Sequence, residues 1–142
     1  MGDDMSEPLE VLRAAQHVVV QDFPDRDVPD SLLRAGLTVT VYGGPEPADV
    51  STHERVDGAV VERERGRRPD RADLLYVYRP FAEIDGILAE GGRLGVQTIW
   101  RQPEVALTDA DGEAWRERVE AAGFAYVEGP IADVAAEVAG SR

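Results

Sequence analysis

The sequence predicts an α/β fold, one parallel sheet with helices on both faces, and three observations carry that prediction. Short apolar runs such as Val18-Val19-Val20 and Leu74-Leu75-Tyr76-Val77 have strand length and no polar alternation, the pattern of strands covered on both sides. Segments with apolar residues at helical spacing lie between them, bounded by glycine and proline. Strands that alternate with helices become parallel neighbours, because a parallel pair needs a crossover connection. With 142 residues, 43% of them hydrophobic, a single domain suffices to bury a core.

Taken in order, Ser6-Glu7-Pro8 reads as a helix start, and Leu9, Leu12 and Ala15 then share a face. Residues 1–16 are expected to form an N-terminal helical segment, a short lid, ahead of a domain at 17–142. His17-Val18-Val19-Val20 is the first strand and Gln21-Asp22-Phe23-Pro24-Asp25-Arg26 its turn. Asp27 to Gly36 offers a capping acid, an early proline, a Val28/Leu32/Leu33 stripe and a closing glycine, which together specify a short helix. Leu37 to Val41 is the next strand, stopped by Tyr42-Gly43-Gly44-Pro45. Pro45 to Arg55 is polar and shows no clear period, Gly58-Ala59-Val60-Val61 suggests a short strand, and the mixed charges of Glu62 to Arg71 predict an exposed loop. Leu74 to Tyr78 is a buried strand. Arg79-Pro80 starts a helix with Phe81, Ile84 and Leu88 inward, which Gly91-Gly92 is expected to break. Leu94 to Trp100 is the partner strand. Thr108 and Asp111 resemble a capping box for a helix that turns Trp115, Val119 and Ala122 inward. Ala125-Tyr126-Val127 is a last strand and Ile131 to Val138 a closing helix.

Composition excludes several classes of function. A formal charge of -13 opposes binding to nucleic acid or an anionic membrane surface, which needs clustered cations. There is no cysteine, so disulfides and thiolate chemistry fall away, and a cytoplasmic location is expected. MGDDMSEPLE has acids where a signal peptide carries positive charge, and no window approaches the ~20 apolar residues of a membrane span. All 15 basic residues are arginine, which removes Schiff-base and P-loop chemistry. His17 and His53 do not make a metal site, and no nucleophile, poised base and orienting group fall together, so catalysis is not expected. Asp22 after the first strand resembles the magnesium-holding acids of receiver domains, but that mechanism also uses a lysine. Asp109, Asp111 and Glu113 fall at a helix start, where acids complement the dipole. Gly91-Gly92-Arg93-Leu94-Gly95 lies between a helix and a strand, the wrong order for a phosphate loop.

An alternating strand and helix order gives a Rossmann-like parallel sheet, in which ligands bind beyond the C-terminal strand ends, near the switch in strand order. Those ends are Gln21 to Arg26, Tyr42 to Pro45, Tyr78-Arg79 and Trp100 to Pro103.

Two of these ends carry a resemblance. Val77-Tyr78-Arg79-Pro80, then a helix, then Ile99-Trp100-Arg101-Gln102-Pro103-Glu104-Val105 is similar to the V-F-R and V-W-L-Q-P-G-V segments of the small CoA-binding domain family, which is related to the CoA-binding domain of succinyl-CoA synthetase. The alternation can be laid along about 120 residues, and these two segments are its specific part. The resemblance implies a non-catalytic, Rossmann-like domain that holds CoA or acyl-CoA across the C-terminal strand edge. It implies contacts from Phe23, Arg26, Tyr42, Gly43, Tyr78, Arg79, Trp100, Gln102 and Pro103, with no metal. Where the family has a G-x-S type loop after the first strand, this chain has Gln21-Asp22-Phe23; Tyr42-Gly43-Gly44 replaces an asparagine-proline turn, and Glu104 replaces a glycine. The phosphate loop is therefore degenerate. The alternative expectation is a Rossmann-like scaffold without nucleotide that acts through protein contacts, in a homodimer or with a larger partner.

Overall fold

The computed structural model describes residues 6–44, 46–103 and 110–140. The elements follow as α1 (Ser6–Ala14), β1 (His17–Gln21), α2 (Asp27–Arg34), β2 (Thr38–Tyr42), β3 (Val50–Val56), β4 (Ala59–Arg65), β5 (Leu74–Val77), α3 (Ile84–Leu94), β6 (Thr98–Arg101), α4 (Ala110–Ala121), β7 (Ala125–Glu128) and α5 (Ile131–Gly140). Short 3-10 turns at Pro47–Asp49 and Phe81–Glu83 lead into β3 and α3.

The strands form one seven-stranded sheet in the order β4-β3-β2-β1-β5-β6-β7. Five of them, β2, β1, β5, β6 and β7, run parallel, while β3 is antiparallel to β2 and β4 to β3. The expected α/β fold with helices on both faces is present, and the sheet is mostly rather than wholly parallel. Period-two alternation in the central strands divides the core. Val18, Val20, Leu74, Tyr76 and Trp100 point to one cluster with α1, α2 and α5. Val19, Leu75, Val77 and Ile99 point to the other with α3 and α4.

Several local expectations change. The N-terminal helix is part of a packed layer and not a lid: Leu12 is fully buried in the cluster shared with α5. The unreadable stretch and part of the charged run form a β3–β4 hairpin. Asp57 and Gly58 close it with left-handed φ angles of 54° and 84°, the turn geometry that matches strand twist. Glu62 to Arg65 is strand and not loop, because pairing with β3 satisfies its backbone although its side chains stay in water. A register slip at Thr52/His53 inserts an extra residue, and Glu62 and Arg65, which strict alternation would put on opposite faces, meet at 2.7 Å. Gly66 to Asp73 then returns across the sheet to β5, with Gly66 N–H on the Val50 carbonyl at one end and Ala72 N–H on the Leu94 carbonyl at the other.

Helix α3 continues through Gly91 and Gly92, and Gly95 ends it at φ 72°. A Cβ on Gly91 would lie 3.3 Å from Phe124 Cζ and 3.4 Å from Ile99 Cδ1, so this glycine serves close packing of helix on sheet. Ile87 is buried in the place expected for Leu88, which is half-buried, and Ala122 is exposed where an inward position was expected. Thr108, Asp109 and Glu104 lie outside the described residues. Among the described residues, no helix is long and apolar enough to cross a membrane.

Candidate functional site

The parallel strands all end at one edge, and the chain leaves β1 and β5 on opposite sides of the point where strand order reverses. A crevice of about 720 Å³ opens there. Gln21 and Asp22 border it from the end of β1, Tyr42, Gly43 and Gly44 from the end of β2, and Arg79 from beyond β5. Arg68 reaches it from the return crossover. Helix α3 supplies Glu83 just before its first residue and Gly86, Ile87 and Glu90 along one stripe, at the spacing that puts residues on a single helical face.

Two ion-pair systems organise the polar walls. In the first, Asp22 adopts a left-handed φ of 64°, tolerated by a short side chain that bonds locally. Its Oδ1 accepts the Phe23 N–H at 2.8 Å, and its Oδ2 accepts Arg79 Nη1 at 2.8 Å. The remaining edge of the guanidinium donates to Glu83, Nε to Oε1 at 2.9 Å and Nη2 to Oε2 at 2.5 Å. The Arg79 hydrogen bonds hold the Glu83 carboxyl below its usual range, while Glu83 and then Asp22 raise Arg79 further. Arg79 is thus clasped between two carboxylates.

The second system is more enclosed. Glu90 is 9% exposed, and its carboxylate accepts Arg93 Nε at 3.0 Å and Nη2 at 2.6 Å, with the Tyr42 hydroxyl donating at 2.5 Å. Arg68 Nη1 stands 4.0 Å from the same carboxylate, and its guanidinium lies 5.5 Å from the Tyr42 ring centre. Hydrogen bonds from Arg93, against the opposing effect of burial, leave Glu90 more acidic than usual. Burial, with Glu90 beside it, raises the Tyr42 phenol, and the Tyr42–Glu90 hydrogen bond ties β2 to α3.

Gly43 and Gly44 have a structural cause of their own. A Cβ on Gly43 would come within 3.1 Å of the Asp49 carbonyl, and one on Gly44 within 2.5 Å of the Asp49 carboxylate.

Of the residues expected at the site, Tyr42, Gly43 and Arg79 line this crevice. Phe23 and Tyr78 are half-buried and pack against the α1/α2/α5 cluster on the other side of the sheet. Arg26 is exposed at the N-terminal end of α2 and makes no side-chain cap bond. Trp100 is fully buried, with its indole N–H on the Gly129 carbonyl at 3.0 Å, leaving no face for a stacked base. Gln102 is half-buried behind the edge: its Oε1 accepts the Tyr76 hydroxyl at 2.7 Å, and Pro103 follows it, neither lining the crevice. The β6 end therefore braces the sheet edge, and three of the four expected strand ends form the crevice. Beyond this set the crevice has Gln21, Asp22, Gly44, Arg68 and the α3 stripe. The Arg79 and Glu83 spacing of four and the run 83, 86, 87, 90 were the sequence signals for that stripe.

Among the described residues, no three His, Asp or Glu side chains gather to hold a metal ion. The arrangement suits the holding of a polar ligand.

No family model matches the chain, and no curated protein does. Solved structures do. A protein of unknown function from Methanothermobacter thermautotrophicus is 12% identical, with a TM-score of 0.53 over 91% of this chain and 87% of its own. A protein described as Prb, PH1109 protein redesigned for binding, is 16% identical, with a TM-score of 0.62 over 97% of this chain and 94% of its own. At these identities the likeness establishes the fold.

Proposed function

We propose that the protein is a divergent, non-catalytic CoA-binding-type domain of the cytoplasm, and that the crevice at the strand-order switch seats the nucleotide of CoA or an acyl-CoA. The observation that carries this reading is the position of the crevice, between the ends of β1 and β5 with the Arg79 guanidinium in its wall. Its size lies within the ~300–1,000 Å³ of ligand sites. Tyr42 and Ile87 supply apolar surface, and Arg79 is the group suited to bidentate contact with a phosphate. Tyr78-Arg79 and Trp100-Gln102-Pro103, the segments similar to the small CoA-binding domain family, divide their work: Arg79 faces the ligand, and Trp100 and Gln102 hold the strand ends in place.

Thermal unfolding with CoA, acetyl-CoA and a longer acyl-CoA tests this. A ligand at 100 times its dissociation constant adds ~2.7 kcal/mol of stability, which is a clear upward shift. Arg79→Ala should weaken binding by about 1.5–3 kcal/mol, the usual worth of a charge-assisted hydrogen bond. No shift for any of these ligands at millimolar concentration would sink the reading.

One observation favours the alternative scaffold. Among the described residues the β3–β4 hairpin ends the sheet with β4 as its edge strand, and Val60 on β4 (58% exposed) and Val56 at the end of β3 (37%) are exposed there. The register slip and the run Glu62-Arg63-Glu64-Arg65 oppose indiscriminate edge pairing. Light scattering of the wild type and of Val60→Glu decides the homodimer form of this reading, which requires an oligomer that the substitution breaks.

A further inference from the structure

Resting on the nucleotide reading, we propose that Asp22 occupies the anion seat of the crevice: its carboxylate bridges the donors a pyrophosphate would use, and a bound nucleotide must displace it.

The seat is defined by two donors. One is the Phe23 backbone N–H, in the loop directly after β1, and the other is Arg79 Nη1, beyond the neighbouring β5; Asp22 Oδ1 accepts the first and Oδ2 the second, both at 2.8 Å. A loop amide after a parallel strand and an arginine fork are the donor types that bind phosphate oxygens. Two ionised oxygens that span them make the carboxylate an internal anion at a phosphate position. The φ of 64° at Asp22 is a conformation in which glycine is the easier residue. The loop thus keeps a backbone suited to a phosphate turn and adds the carboxylate that competes for it.

Glu83 reinforces the effect by taking Nε and Nη2 of the same guanidinium. With Asp22 on Nη1, each nitrogen of Arg79 already has a carboxylate partner, so an incoming phosphate meets an arginine whose charge is neutralised. The contact is displaceable. The Asp22 and Arg79 side chains are 46% and 39% exposed, and exposed pairs of this kind hold weakly. Asp22 is therefore a specificity-determining residue: it admits an anion able to outcompete one carboxylate, as a pyrophosphate can, and turns away weaker ones.

Two substitutions separate this role from a purely structural one. Asp22→Asn keeps a side-chain oxygen for the Phe23 N–H and tolerates a left-handed φ while losing the charge; Asp22→Gly suits the backbone and removes the competitor. Inorganic pyrophosphate and CoA are titrated by calorimetry into the wild type, both variants and the Asp22→Asn/Arg79→Ala double variant. Both single variants should bind both probes about tenfold more tightly than the wild type. The double variant should lose that gain. Equal or weaker binding of both probes by both single variants overturns the role of Asp22, while CoA binding by the wild type would leave the nucleotide reading standing. Pyrophosphate binding gained without any CoA binding supports the anion seat and overturns the CoA reading. No binding of either probe to any variant overturns both.

Discussion

His17 shows how one residue's surroundings set a measurable property. It stands at the amino end of β1, with its Nε2 2.7 Å from Thr40 Oγ1, which is itself 2.7 Å from Thr52 Oγ1. Burial disfavours the imidazolium more than Asp73 favours it, so its pKa falls below 6.5. The unfolded chain, with a His pKa of about 6.5, then binds more protons than the folded one just below that value, and stability rises with pH through the window. We expect the urea midpoint to fall as pH drops from above 6.5 towards the lowered folded pKa, and His17→Gln to flatten that slope. The carboxyls of Glu83 and Glu90, which lie below 4.5, lose their contribution only in more acid solution and do not mask the effect. A slope unchanged by the substitution would remove His17 from this role. At this scale the sequence is legible for type and poorly legible for partner. Asp22 reads plainly as an acid in the loop after β1, yet its bond to Arg79 joins residues 57 apart, and no local pattern carries it. Trp100 reads as core somewhat more readily than as a stacking platform, and the partner that holds it there, the Gly129 carbonyl on its N–H, lies 29 residues on.

Among the elements, α3 offers a paired test with adjacent glycines. Both lie inside the helix, where glycine costs roughly 0.5–1 kcal/mol relative to alanine. A Cβ on Gly92 meets nothing within 4 Å, so Gly92→Ala should stabilise the fold by about that amount. On Gly91 the same Cβ presses on Phe124 and Ile99 at 3.3 and 3.4 Å, so Gly91→Ala should gain less or destabilise. Denaturant midpoints of the two variants settle it; equal gains would mean that Phe124 yields freely. Strands buried on both faces were the readable elements, because packing forces an apolar run. The β3–β4 hairpin is far less legible, because almost nothing in β4 is buried and its pattern answers to pairing alone. Two signals were available all the same. Asp57-Gly58 is a strong two-residue turn, and Thr38-Val39-Thr40-Val41 alternates as a strand does when only one face meets the apolar core. Both mark the same departure: after β2 the chain returns through a ribbon and an extended crossover where a helix would have covered the sheet.

Across the whole molecule, the alternation of strands and helices was enough to place the C-terminal strand edge, and three of its four predicted corners border the crevice. Strand order was not legible from alternation, since it says nothing of which strand lies beside which. A charge of -13 also acts at this scale, as self-repulsion spread over the surface. Between roughly 0.01 M and 1 M salt the screening length falls from about 30 Å to about 3 Å. The thermal midpoint should therefore rise with sodium chloride, by roughly 3–5 °C for each kcal/mol relieved. A falling midpoint would mean that the surface arginine–carboxylate pairs outweigh the repulsion. The hairpin has a kinetic consequence as well. The central pairing of β1 with β5 is sealed by Asp73 on the His17 N–H, groups 56 residues apart, and closing so long a loop is entropically slow. A ribbon with a two-residue turn zips in about 1–10 μs, and its Gly66 N–H to Val50 carbonyl bond, 2.8 Å in the finished fold, is expected to form ahead of that closure. The span left to search between β2 and β5 is then only the short crossover. An element that adds little to the finished core thereby shortens the route by which that core assembles.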